Sequence, residues 1–187
     1  MPYSATATAL PGVLILEPRV FGDARGYFYE SFNAEEFRRV VQQSYKFVQD
    51  NHSKSIKGVL RGLHYQIQHA QGKLVRVTAG EVLDVAVDLR KSSPHFGKWA
   101  AVTLSAENRR QLWIPPGFAH GFLVVSDTAE FLYKATDYWH PEHERSILWN
   151  DRDLAIDWQL DAIAPTEPQL AAKDVAGIPF AQAELYP

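Results

Sequence analysis

The sequence predicts an all-β protein made of two packed antiparallel sheets, and three observations carry that expectation. Apolar residues recur mostly with period two. The apolar runs are short, broken by Gly, Pro, Asn or Asp about every ten residues, and there are too many of them for one sheet. A length of 187 residues with 46% hydrophobic and 22% charged side chains suits one folded domain spanning 1–187, with a core that needs no staples.

In chain order, the first strands are expected at Val13–Leu16 and Tyr27–Phe32. A helix follows: Asn33 can cap it, Glu36 takes the third helical position, and Phe37, Val40 and Val41 make an apolar stripe suited to a lid on the sandwich. Strands are next expected at Phe47–Asn51 and Val59–Gln66. In Lys73–Arg90, Leu83, Val85, Val87 and Leu89 alternate with Asp84, Ala86 and Asp88 behind a Gly80–Glu81 turn, which predicts a hairpin with one buried face. Trp99–Leu104, Gln111–Ile114, Gly121–Ser126 and Glu130–Asp137 complete the strands. The Pro-rich stretch Asp161–Pro168 reads as a crossing loop, and the period of Leu170–Leu185 is ambiguous.

Nineteen Lys plus Arg against 22 Asp plus Glu give a net charge of −3, with no basic block, so neither nucleic acid nor an acidic membrane is an expected partner. The absence of Cys excludes disulfides, thiolate nucleophiles and Cys-ligated metals. The opening MPYSATATAL has no basic leader or apolar segment, and no apolar run reaches membrane-spanning length, so the expected location is cytoplasmic.

Several side chains could carry chemistry. His64 reads either as a half-buried, hydrogen-bonded strand residue or as a general base working near neutrality. Arg61 lies three residues before it, so strict alternation separates the two unless Gly62 marks a bulge. There is no His-x-His, although His64 and His120 could meet a carboxylate in space. By default Tyr133 is a core aromatic, Lys73 a solvated strand-start lysine and Arg25 a turn residue; the sharper reading of Tyr133 is a proton donor. The segment WIPPGFAHGF fixes a rigid turn between strands, and Tyr138–Trp139 is either core packing or a platform for a flat ring.

The strings FGDARGYFYESF, FVQDNHSKS, VLRGLHYQ, QGKLVRVTAGEVLDVAVDLR, FGKWAAVTLSAENRRQLWIPPGFAHGF, EFLYKATDYW and SILWNDRDLAIDW run in order from Phe21 to Trp158, with LAAKD following at Leu170–Asp174. Together they resemble the dTDP-4-dehydrorhamnose 3,5-epimerase family. The resemblance implies a cupin-type jelly roll working without metal or other cofactor, as a homodimer that exchanges N-terminal strands. The implied reaction converts dTDP-4-dehydro-6-deoxy-D-glucose to dTDP-4-dehydro-L-rhamnose, a step of dTDP-rhamnose synthesis for cell-surface polysaccharides.

By motif, the resemblance makes His64 the base, Asp174 its orienting partner and Tyr133 the acid on the opposite face, with Lys73 near the sugar ketone. It puts Arg25, Glu30, Gln49, Asn51, Arg61, His120, Glu144 and Lys173 at positions that hold the nucleotide sugar, with Trp139 or Tyr138 stacking on thymine. Other readings are a 3- or 5-epimerase on a related nucleotide sugar, a metal-dependent cupin, and a non-catalytic sugar-binding jelly roll.

Overall fold

The structure is a computed structural model that describes residues 3–187. Its strands are β1 (Tyr3–Ala7), β2 (Leu14–Pro18), β3 (Phe21–Asp23), β4 (Gly26–Phe28), β5 (Gln49–Ile56), β6 (Leu60–Gln66), β7 (Lys73–Ala79), β8 (Glu81–Asp88), β9 (Trp99–Ser105), β10 (Gln111–Ile114), β11 (Phe118–Val124), β12 (Thr128–Ala135) and β13 (Glu144–Ser146). Helix α1 (Ala34–Val41) lies between β4 and β5, and a single helical turn, α2 (Ala172–Val175), comes near the C-terminus.

Two antiparallel sheets face each other, one in the order β1-β2-β10-β7-β12-β5 and the other in the order β13-β6-β11-β8-β9, with β3 and β4 forming a separate ribbon. Their inner faces interdigitate. Val75, Val77, Leu112, Ile114 and Phe131 of the first sheet pack against Val82, Ala86, Val102, Leu104, Phe122 and Val124 of the second. Fully burying each such large side chain stabilises the fold by about 1.5–3 kcal/mol. This is the cupin-like jelly-roll sandwich that the period-two pattern and the resemblance lead one to expect.

The Lys73–Arg90 segment differs from its expectation in an instructive way. It is not a hairpin: β7 pairs with β10 and β12, β8 pairs with β11 and β9, and the turn between them crosses from one sheet to the other. Nor is only one face of β8 buried. Leu83, Val85, Val87 and Leu89 pack outward beneath Leu154, Trp158 and Ile163, while Val82 and Ala86 belong to the core between the sheets. The segment after β13, residues 147–187, is therefore a cover over the second sheet, a role its broken periodicity conceals. The expected crossing loop Asp161–Pro168 overlaps a 3-10 turn at Leu160–Ala162, and Leu170–Leu185 holds α2 and another 3-10 turn at Phe180–Gln182.

Helix α1 begins as expected, with the Asn33 side chain accepting from the Glu35 and Glu36 amides. Its Phe37 seats edge-on against Trp113, 5.0 Å between centroids, and closes the outer face of the first sheet with Leu16 and Leu74. With both outer faces covered, one end of the sandwich remains open between the sheets. No helix is long and apolar enough to cross a membrane.

Candidate active site

At that open end lies a cavity of 390 Å³ whose walls come from both sheets. Period two explains which residues reach it. On β7, Lys73 shares a face with the core residues Val75 and Val77, and on β12 Tyr133 shares a face with Phe131. On β11, His120 continues the inward row of Phe122 and Val124. Each strand thus runs from apolar core into polar cavity along one face.

On β6 the alternation is broken where the sequence suggested. His120 pairs with His64 and Phe122 with Arg61, so two residues of β6 oppose one of β11. Gly62 occupies this bulge at φ +122°, and a Cβ there would lie 2.6 Å from Gly121 Cα. The extra residue lets Arg61 and His64 line the same cavity.

His64 Nε2 lies 2.7 Å from Asp174 Oδ1 in a bent approach outside ordinary hydrogen-bond angles, and that nitrogen has no other partner. The carboxylate is fixed independently, since Asp174 Oδ1 accepts from the Gly62 amide and Oδ2 from the Ala171 amide. Burial pushes Asp174 up, but the close His64 ring and the hydrogen bond from the Gly62 amide outweigh it and hold the group below the usual carboxylate range. Burial lowers His64, and the Lys173 and Lys73 charges add to that against the pull of Asp174. The pair is therefore a neutral imidazole facing a carboxylate, which is the form a base needs.

Lys73 is not the solvated lysine of the default reading. Burial lowers it to about 8, against the opposing influence of Glu144 and Asp84. Its Nζ sits 5.9 Å from the centre of the Tyr133 ring. Burial, then Glu144, raises the Tyr133 phenol, which stays protonated and able to donate. His64 and Tyr133 stand on strands of opposite sheets, so they approach the cavity from facing walls.

The other expected site residues divide into two groups. Gln49, Asn51, Arg61, His120, Trp139, Glu144 and Lys173 line the cavity. Asn51 Nδ2 is buried without a partner, while its Oδ1 accepts from Gln49 Nε2. Arg61 is held by the Ser55 hydroxyl at 3.1 Å, and Lys173 pairs with Glu144 at 3.1 Å. Arg25, Glu30 and Tyr138 stand apart from the cavity of their own chain. Arg25 lies on the exposed β3–β4 ribbon against Asp23, Glu30 accepts from Asn33, and the Tyr138 ring is exposed. Of the aromatic doublet, Trp139 is the member on the cavity wall.

Residue-by-residue reasoning missed Asp84. Fully buried on β8, it meets His120 Nε2 at 2.9 Å, and burial raises its carboxyl. An acid alternating within the otherwise apolar run VLDVAV was the available signal. Also missed were the stacked rings of Phe122 and Phe131, 4.2 Å apart, which form the apolar floor.

A jelly-roll sandwich whose open end gathers a neutral imidazole, a half-buried lysine and a half-buried phenol has the groups of a cupin-like acid–base enzyme. The sequence model described as dTDP-4-dehydrorhamnose 3,5-epimerase matches residues 7–182. A curated dTDP-4-dehydrorhamnose 3,5-epimerase from Pseudomonas aeruginosa is 60% identical over 183 residues, 98% of this chain and 99% of that protein. The crystal structure of a dTDP-6-deoxy-D-glucose-3,5-epimerase from Legionella pneumophila, in complex with dTDP-4-keto-L-rhamnose, superposes with a TM-score of 0.93 at 52% identity, covering 97% of this chain and 95% of that one. A 3'-monoepimerase from Streptomyces bikiniensis in complex with dTDP-quinovose superposes at 0.86 with 33% identity, over 94% of this chain and 87% of its own. The chain belongs to the dTDP-4-dehydrorhamnose 3,5-epimerase family.

Proposed function

We propose that this chain converts dTDP-4-dehydro-6-deoxy-D-glucose to dTDP-4-dehydro-L-rhamnose by inverting C3 and C5, as one step of dTDP-L-rhamnose formation. The observation that carries this reading is the placement of a base and a proton donor on facing walls of one cavity, His64 on β6 and Tyr133 on β12. Both inverted carbons flank the C4 ketone, so removing either proton puts charge on the same oxygen. Inversion needs the proton to leave one face and another to arrive on the opposite face.

In this reading His64 removes the proton, and Asp174 orients the ring and stabilises the imidazolium that forms. The Lys73 ammonium meets the enolate oxygen, where its charge counts most after deprotonation. Tyr133 returns a proton from the other side. Arg61 and Lys173 supply cations for the diphosphate of a substrate that a chain of charge −3 does not attract as a whole. The partnerless Asn51 amide donates to the sugar nucleotide, Gln49 supports Asn51, His120 held by Asp84 binds the sugar, and Trp139 offers its face to thymine.

The active unit is a homodimer in this proposal, with Arg25 and Glu30 of one chain completing the site of the other. Its support is the β3–β4 ribbon, on which Phe21, Tyr27 and Phe28 are 52%, 62% and 67% exposed. No step requires a cofactor.

The test is proton NMR of the substrate with the enzyme in D2O containing EDTA. Deuterium at both C3 and C5, with a reductase downstream giving dTDP-L-rhamnose, is the expected result. Exchange at one carbon alone points to a mono-epimerase, and no exchange defeats the proposal.

A further inference from the structure

Outside the proton-transfer residues, one cluster of side chains stays unused by the reaction. His69 Nδ1 lies 3.3 Å from Asp137 Oδ2, and the donor atoms of His69, Asp137 and His140 all lie within 4.8 Å of one another. Two imidazoles and a carboxylate are the donor set of a zinc-class ion that keeps a fourth position for water.

The main chain under all three is fixed by two glutamines. The Gln66 amide donates to the His69 carbonyl and accepts from the His140 amide, both at 2.7 Å, and Gln71 donates to the Asp137 carbonyl at 2.8 Å. The Asp137 carboxylate is oriented as well. Its Oδ1 accepts from the Tyr138 amide at 2.8 Å, which turns Oδ2 toward His69. The bond to the Asp137 carboxylate is of the kind that orients a metal ligand, and the glutamine bonds fix the main chain beneath it.

We propose that His69, Asp137 and His140 form a binding site for a zinc-class divalent cation at the rim of the cavity. Tetrahedral donors about 2.0–2.2 Å from a shared ion stand about 3.3–3.6 Å apart, so donors that here lie within 4.8 Å of one another must close by up to roughly an ångström on binding. The rings of His69 and His140 stack at 4.1 Å with planes 20° apart, and His140 Nδ1 lies 3.3 Å from Glu142 Oε1, a contact that a metal ion replaces or that orients the ring. Rotation of the half-exposed His69 ring about Cβ–Cγ, a soft torsion, directs both rings onto one ion. Because Trp139 lies between Asp137 and His140, the ion braces the segment carrying the aromatic wall of the cavity and takes no part in proton transfer.

Co2+ is the probe, since tetrahedral cobalt absorbs in the visible and zinc does not. Titration of the metal-free protein should give d–d bands that saturate at one ion per chain and vanish on adding Zn2+. Gln71→Ala should weaken binding about ten-fold. The double variant His69→Ala, His140→Ala should lose the bands while melting in EDTA as the parent does; if it melts early, Asp137→Asn takes its place. No bands in the parent, or bands unchanged in these variants, overturns the site whatever the activity toward the sugar nucleotide.

Discussion

His64 and Lys73 line one small cavity, and the proposed reaction requires each to hold a particular charge state when the ketone arrives. His64 must be neutral, and burial already sets it below its ordinary value, so activity should rise with pH through a point under about 6.5. Lys73 must be charged, and burial has brought it to about 8, so activity should fall as pH rises past that value. The expected kcat/KM profile is a bell, and Lys73→Arg should remove its alkaline limb; an alkaline limb unchanged in that variant would assign it to another group. Tyr133→Phe should still exchange substrate protons with D2O but return them to the face they left, and normal inversion in that variant would clear Tyr133 of its role. The half-buried ammonium also carries a stability cost. Between pH 8 and 10.5 the unfolded chain retains a proton that the folded chain has lost, so stability due to this group rises with pH across that window. Lys73→Met should therefore raise the melting temperature at pH 7, by at most on the order of 3 kcal/mol in stability, while abolishing turnover. Its advantage over the parent should shrink as pH increases, and a constant difference would show that the charge is not buried.

At the level of elements, the site depends on the bulge in β6. Gly62→Ala must adopt φ +122° and push Cβ against Gly121 Cα, so it should cost about 1–3 kcal/mol in denaturant unfolding. Because the bulge sets the angle between Arg61 and His64, kcat should fall along with stability; full kcat in a destabilised variant would show that the cavity tolerates a regular strand. This irregularity was legible because Gly stands between two polar residues at the wrong spacing for one face. The cap at Asn33 and the strand Gln111–Ile114 were legible too, for each is fixed by local chemistry. The pairing of β7 and β8 was not, since a turn that joins two strands of one sheet and a turn that crosses between sheets use the same residues. Strand β5 shows a deeper limit. It was expected to end at Asn51 but runs to Ile56 through QDNHSKS, because its inward row faces the cavity and is polar. Hydrophobic periodicity marks the core and fades where the site begins. Strand β13, only three residues long, exists through its pairing with β6 and carries no pattern of its own.

For the whole molecule, the unresolved physical demand is the β3–β4 ribbon. A two-stranded hairpin is marginal in water, and this one exposes three large aromatic rings on a chain whose two sheets are each covered on their outer face. The same ribbon carries Arg25 and precedes Glu30, two groups expected at the sugar nucleotide yet remote from the cavity of their own chain. The proposed exchange of N-terminal arms between two chains would answer both points at once, burying the rings and delivering the guanidinium. Light scattering should accordingly report twice the chain mass. Replacing Phe21 and Phe28 by Ser should shift the protein toward monomer, because it removes apolar area from the contact and leaves each chain's own core untouched. The monomer should bind dTDP more weakly than the parent, as Arg25 no longer reaches the neighbouring cavity. Arg25→Ala should weaken dTDP binding in the same sense but leave the dimer intact. A parent protein that runs as a monomer with full activity would remove the exchange, and Arg25 and Glu30 with it, from the account of this site.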